Sequence, residues 1–181
     1  MKYSFKLKIS FPYIFLILGL NVHAQKVNPK CQAYFDKGKS FEILGNFNSA
    51  IIYYVSCIFC IPEYYVPYVN RGRCNFNLKK FSSAISDYDK AIELGDRWPG
   101  VFVCRGIAFS RLTMYSRAID NYNIAIEIDP KFSSAYYNRC NSYFSMDEKE
   151  KACKDLEKAF ELGEKDIPQS FLDECHLNFK K

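Results

Sequence analysis

Residues 99–132, PGVFVCRGIAFSRLTMYSRAIDNYNIAIEIDPKF, read as one helix, a turn and a second helix. Phe102, Arg105, Gly106, Phe109 and Leu112 recur at helical spacing, and Thr113 and Met114 break the pattern. Ala118, Ile119, Tyr122, Ala125 and Ile126 then resume it until Asp129 and Pro130 stop the helix. The stretch is a helical hairpin, and the sequence on either side consists of copies of it.

Sliding the chain against itself by 34 residues brings Ala50, Ala84, Ala118 and Ala152 into one column. An aromatic column holds Tyr34, Tyr68, Phe102 and Tyr136, and a small one holds Gly38, Gly72, Gly106 and Cys140. Tyr54, Tyr88, Tyr122 and Leu156 form another, as do Cys57, Ala91, Ala125 and Ala159. Four units, 31–64, 65–98, 99–132 and 133–166, follow one another without insertion. The small columns mark places where helices cross at the short end of the usual range, roughly 8 to 10 Å. Glycine inside a helix costs about 0.5 to 1 kcal/mol relative to alanine, so close packing must offset it. Gly106→Leu is expected to destabilise by overpacking.

A period of this length, running aromatic, small, Ala, aromatic, Ala and often Pro, resembles the tetratricopeptide repeat. The variant with Asn-Arg-Gly stands at Asn70, Arg71 and Gly72. The departures are local. Lys149 replaces the ring of Phe47, Phe81 and Tyr115, Asn75 replaces that of Phe41, Phe109 and Tyr143, and only Pro62 and Pro130 keep the closing proline. The resemblance implies an all-α, right-handed solenoid of four helix-turn-helix repeats, with the first helices lining a concave groove for an extended peptide or a partner helix. Its inward columns would be Phe35, Val69, Val103 and Tyr137; Lys39, Arg73, Ile107 and Asn141; and Glu42, Phe76, Ser110 and Phe144. The family's basic clamp for a C-terminal carboxylate needs Lys in the first of these columns, where this chain has apolar and aromatic residues, so that clamp is absent. A groove of this composition, with Lys39 and Arg73 at one end, suits a mostly apolar segment with an acidic flank.

Both flanks differ from the repeats. Residues 1–24 carry Lys2, Lys6 and Lys8, then an uncharged apolar run from Ile9 to Val22, then Val22, His23 and Ala24 before Gln25. This is the layout of a secretory signal cleaved after Ala24, although an uncleaved N-terminal anchor has a similar composition. Residues 25–30 form a short polar lead. At the other end, Pro168 opens a helix in 167–181 with Phe171, Leu172, Cys175 and Phe179 on one side, which suits the cap that an open array needs.

Apolar residues make up 49% of the chain, ample for a packed core. The formal charge of +5 falls to +2 without Lys2, Lys6 and Lys8, which provides no basic stripe for nucleic acid. After residue 24 the chain holds a single histidine, His176, and no glycine-rich phosphate loop, so no cofactor, metal or small-molecule substrate is implied and no catalytic residue is assigned. The partner expected is a protein or peptide.

All eight cysteines lie beyond the leader, and an even count in an exported chain points to disulfides. Cys31 begins and Cys60 ends the first hairpin, while Cys140 and Cys153 flank the turn of the fourth, so both pairs match in height and are expected to bridge. Cys57 fills an alanine column, and Cys74, Cys104 and Cys175 stay unassigned. Cys57 and Cys60 also form a Cys-x-x-Cys, which is the basis of the alternative reading, a thiol-disulfide enzyme. Arg71 and Arg139 precede Asp87 and Asp155 by sixteen residues at matching heights, the spacing of a bidentate pair across a hairpin, and anion binding by the arginines is the other reading. Finally, the second helix of the first unit is apolar nearly all round. Ile52, Val55 and Phe59 form an outward stripe without a partner in the array, a possible second partner surface or a site of self-association.

Overall fold

The computed structural model describes residues 29–165 and 167–176. The leader, residues 25–28 of the polar lead and residues 177–181 of the C-terminal segment lie outside the described residues. Nine helices occur among those described: α1 Pro29–Ile43, α2 Phe47–Cys60, α3 Val66–Asn77, α4 Phe81–Glu93, α5 Pro99–Arg111, α6 Tyr115–Ile128, α7 Ser133–Ser145, α8 Lys149–Glu161 and α9 Gln169–Glu174. α1 to α8 pair as four antiparallel hairpins, and each second helix packs on the first helix of the next unit. The result is a solenoid. None of these helices is long and apolar enough to cross a membrane.

The period extends to the backbone. Gly45, Lys79, Thr113 and Asp147, one per hairpin turn and 34 residues apart, all adopt left-handed φ, between 58° and 73°. Only Gly45 does so without a Cβ penalty. Two solutions alternate at the unit ends. Gly95 and Gly163 take positive φ, and the following amides reach back to the carbonyls of Ala91 and Ala159, which closes α4 and α8. α2 and α6 instead end on Ile61 and Asp129, each followed by a proline that cannot continue the helix.

Packing explains the columns. Tyr54, Tyr88 and Tyr122 are fully buried, and a Cβ on the facing Gly38, Gly72 or Gly106 would lie 2.7, 2.8 or 2.5 Å from the tyrosine Cε1. In the fourth unit the column pair is Cys140 with Leu156, both fully buried: the small member has grown and the large one has shrunk. The leading face of α1 differs from the equivalent faces of later units. Pro67, Val101 and Ala135, with Cys74, Ala108 and Ser142, are buried where the next helix meets the last, whereas Ala33 and Ser40 are exposed, alongside Asp36 and Lys37. The array therefore starts with a face suited to water.

Both ends are cross-linked. Cys31 bonds to Cys60, with Cα atoms 5.8 Å apart, across the open end of the first hairpin. The pairing expected between Cys140 and Cys153 does not form; Cys153 bonds to Cys175 at 5.4 Å between Cα atoms. The reason is rotational: Cys140 occupies the small column, so its thiol points into the core against Leu156 and Ala152. Cys175 immediately follows α9, which spans six residues before His176, at a φ of 53°, ends it. Ile167, Phe171 and Leu172 pack on the same cluster, so this short helix covers the end of the last hairpin.

These features predict opposite effects for two substitutions in one unit. Gly106→Ala must displace the Tyr122 ring and should lower stability in urea denaturation by about 1 to 3 kcal/mol. Thr113→Gly relieves a β-branched residue from left-handed backbone and should raise stability by about 1 kcal/mol. The thiols give a second test. Cys57, Cys74 and Cys140 are buried and Cys104 is half-buried, and burial pushes Cys74 and Cys140 up to about 12 from an ordinary 9.0. Titration with a thiol reagent should find four reactive groups in denaturant, with Cys57, Cys74 and Cys140 silent in the native chain. Because the folded thiols hold their protons to higher pH than the unfolded ones, stability should fall as pH rises from 9.0 towards about 12.

Candidate functional site: the inner face of the solenoid

The first helices bring the three expected columns to the inner side but leave few of their side chains available. Val103 is 4% exposed and is core rather than groove lining, a correction to its expected role, because α7 and α6 close over it. Phe35 tilts against Tyr54 and Tyr64 at 6.0 and 6.2 Å, Phe76 meets the edge of Phe81 at 5.3 Å, and Phe144 lies 4.9 Å from Phe171 of the capping segment. Val69 and Tyr137 are half-buried against the core. The apolar members thus serve mainly packing.

The basic end is partly neutralised. Arg73 donates to Glu42 at 2.5 Å and to Asn70 at 3.2 Å, and Glu42 also accepts the Tyr54 hydroxyl at 2.6 Å. The hydrogen bond to Glu42 raises the Arg73 pKa further, and burial followed by the same carboxylate raises that of Tyr54. Lys39 stays exposed.

Further along, between the third and fourth units, a cleft of about 280 Å³ opens on the inner face. Its walls are polar. Ser110 lies 3.3 Å from the Tyr122 hydroxyl and 3.0 Å from Ser142, so the three form a linked hydroxyl group at the base. Asn138, Asn141 and Arg111 line the rim, with Ile107 as the apolar contribution from the expected columns. Burial pushes Tyr122 up to about 12 despite its serine neighbours, so it is a neutral hydroxyl at any physiological pH. Arg111, Asn138 and Ser142 fall outside the three expected columns. Ser110 and Ser142 stand 32 residues apart rather than one repeat apart, so the periodicity gave no signal for their contact.

The arginine column is structural. Arg71 makes a bidentate contact with Asp87 at 2.6 and 3.1 Å, and Arg139 does so with Asp155 at 2.7 Å on both branches. Each guanidinium also sits over the aromatic ring three residues earlier, at 5.5 Å from Tyr68 and from Tyr136. Arg105 finds the neutral Asn121 at 2.7 Å and reaches back to Asp89 in the previous unit at 2.6 Å; Arg139 similarly reaches Asn123 at 2.6 Å. Asn75, the odd member of its aromatic column, donates to Asp87 at 2.9 Å, so the lost ring is explained by a hydrogen bond.

Two other candidates resolve differently. Cys60 is bonded to Cys31 and cannot pair with Cys57, whose thiol burial makes harder, not easier, to ionise; this is the opposite of a redox nucleophile and removes the basis of the thiol-disulfide alternative. Among the described residues no cluster of three or more His, Cys, Asp or Glu could hold a metal. Ile52, Val55 and Phe59 lie outward on α2 at 65%, 45% and 88% exposure. The same columns in later units carry Ser86, Asp120 and Lys154; Asp89, Asn123 and Glu157; and Glu93, Glu127 and Glu161.

The geometry defines a solenoid of helical hairpins. A profile of the tetratricopeptide repeat matches residues 32–58, 66–94 and 133–166, and the chain carries these repeats. Residues 99–132 lie outside that match yet form a hairpin of the same geometry. Among solved structures, the crystal structure of MamA is similar at 24% identity over 73% of this chain and 72% of that one, with a TM-score of 0.68. A MamA fragment from Desulfovibrio magneticus RS-1 is 15% identical over 77% of this chain and 78% of its own, with a TM-score of 0.69. The first such domain of Spaghetti (RPAP3), bound to the HSP90 peptide SRMEEVD, is 25% identical over 68% of this chain and 98% of its own, with a TM-score of 0.63. Curated protein sequences give no match.

The two kinds of arginine partner should differ in cost. Asp87→Ala strands a largely buried guanidinium together with Asn75 and should lower stability by about 3 kcal/mol. Asn121→Ala leaves Arg105 its contact with Asp89 and should cost about 1 kcal/mol. Urea denaturation of the two variants side by side checks the order.

Proposed function

We propose that the chain is an exported, non-catalytic adaptor that holds an extended segment of a protein partner on its concave face. Tetratricopeptide repeats are protein-interaction modules, and the similar domain of RPAP3 carries a bound peptide. The observation that carries the reading is the open cleft on the inner face, whose rim offers amide and guanidinium groups at hydrogen-bonding reach of an extended backbone. Without lysine in the first inward column, recognition in this chain does not use a basic clamp on a C-terminal carboxylate, so the bound segment can be internal to its partner.

Export is supported by the composition of residues 1–24, by the concentration of all eight cysteines beyond them, and by two cross-links that suit an oxidising compartment. Sequencing the N-terminus of chain recovered outside the cytoplasm should return Gln25 as the first residue; recovery starting at Met1 would favour a retained anchor.

The groove is tested by filling it. Asn141→Trp places a large ring over the cleft without touching the core, and should reduce cross-linked capture of partner from the producing cell at least tenfold while leaving the helical circular dichroism unchanged. Undiminished capture would remove the inner face from the interaction.

A further inference from the structure

The inner side of the repeats carries more basic than acidic side chains. The inner columns and the last turn of the first helices hold Lys39, Arg73 and Arg111 against the single carboxylate Glu42. The outward columns of the second, third and fourth units hold Asp89, Glu93, Asp120, Glu127, Glu157 and Glu161 with Lys154, and of these Asp89, Glu93 and Glu161 are paired with Arg105, Lys90 and Lys158. Glu42 is consumed by Arg73 and by the Tyr54 hydroxyl. Arg111 enters no ion pair among the described residues. It lies on the rim of the cleft, beside the Asn141 side chain, which has no hydrogen-bond partner among the described residues, and above the hydroxyl group of Ser110, Ser142 and Tyr122.

We propose that this cleft is an anion-binding subsite of the groove, taking one acidic group of the bound segment, a side-chain carboxylate or a phosphoryl group. The inference rests on the reading of the inner face as a peptide site and specifies what that site selects. The argument is one of matching. A guanidinium supplies charge and a planar fork, and an amide and hydroxyls supply neutral donors around it. The nearest inner-face carboxylate, Glu42, lies two units away and is already paired. An apolar side chain entering the cleft would strip water from these groups without replacing its hydrogen bonds, and a basic one would meet Arg111. An acidic group satisfies the set.

The test uses purified chain with both disulfides formed and three immobilised pools of random-sequence peptides of one length: one containing Asp and Glu, one with Asn and Gln at those positions, and one with phosphoserine replacing the acids. The wild type should retain the acidic or the phosphorylated pool about tenfold better than the amide pool, the increment of one hydrogen bond to a charged group. Arg111→Gln should abolish that preference, and Lys131→Gln, a surface cation outside the cleft, should keep it. Whichever of the two charged pools loses more on Arg111→Gln identifies the source of the anion. A preference that survives in Arg111→Gln would overturn the subsite. Equal retention of all three pools by the wild type, lost in Asn141→Trp, would also overturn it while leaving the peptide groove standing. No retention of any pool would count against both readings.

Discussion

The contact on which the rest depends is a tyrosine ring set against a residue with no side chain. In three of the four units the ring on the second helix lies so close to the first helix that a single added carbon would collide with it. That approach sets the separation and height of the two helices. Height in turn determines whether a guanidinium on one helix can reach a carboxylate sixteen residues later on the other. It also fixes where the next unit can dock. A solenoid repeats whatever its unit does, so a small error in this contact would accumulate along the array rather than stay local.

The fourth unit shows that volume, rather than residue type, is conserved within that contact. Cys140 and Leu156 divide the same space differently from Gly106 and Tyr122, and the hairpin keeps its form. The substitution has a chemical effect as well: it removes the phenol that, in the third unit, hydrogen-bonds with Ser110 at the base of the cleft. Polar chemistry on the inner face is therefore tied to the choice of residue at the crossing, and it is concentrated where the tyrosine is still present.

The period, the hairpins, the first cross-link and the arginine pairs were all legible in the residues, because each depends on distance along the chain. What was not legible depends on rotation about a helix axis or on a neighbour closing over a side chain. Cys140 and Cys153 stand at matching heights, yet one points into the core and the other towards the segment that follows the last hairpin. The column that placed Cys140 among glycines already contained that information. Val103 and Phe144 occupy inward columns by spacing, but the packing of the next element covers them. The cleft escaped notice for a related reason, since its walls come from two first helices and one second helix and no single column contains it.

The two disulfides change how the molecule would respond to being pulled. Tension entering near Cys31 passes through sulfur to Cys60 and skips the whole of the first hairpin, and at the other end it passes between Cys153 and Cys175, skipping most of α8 and the cap. Twenty-nine residue steps at one end and twenty-two at the other are withheld from extension. Open arrays ordinarily fray from their termini, where each unit has one neighbour instead of two. Here the ends are shut, and a stretched chain would have to part first in its second and third hairpins, so the cleft beside the third hairpin would be lost before either end unravelled.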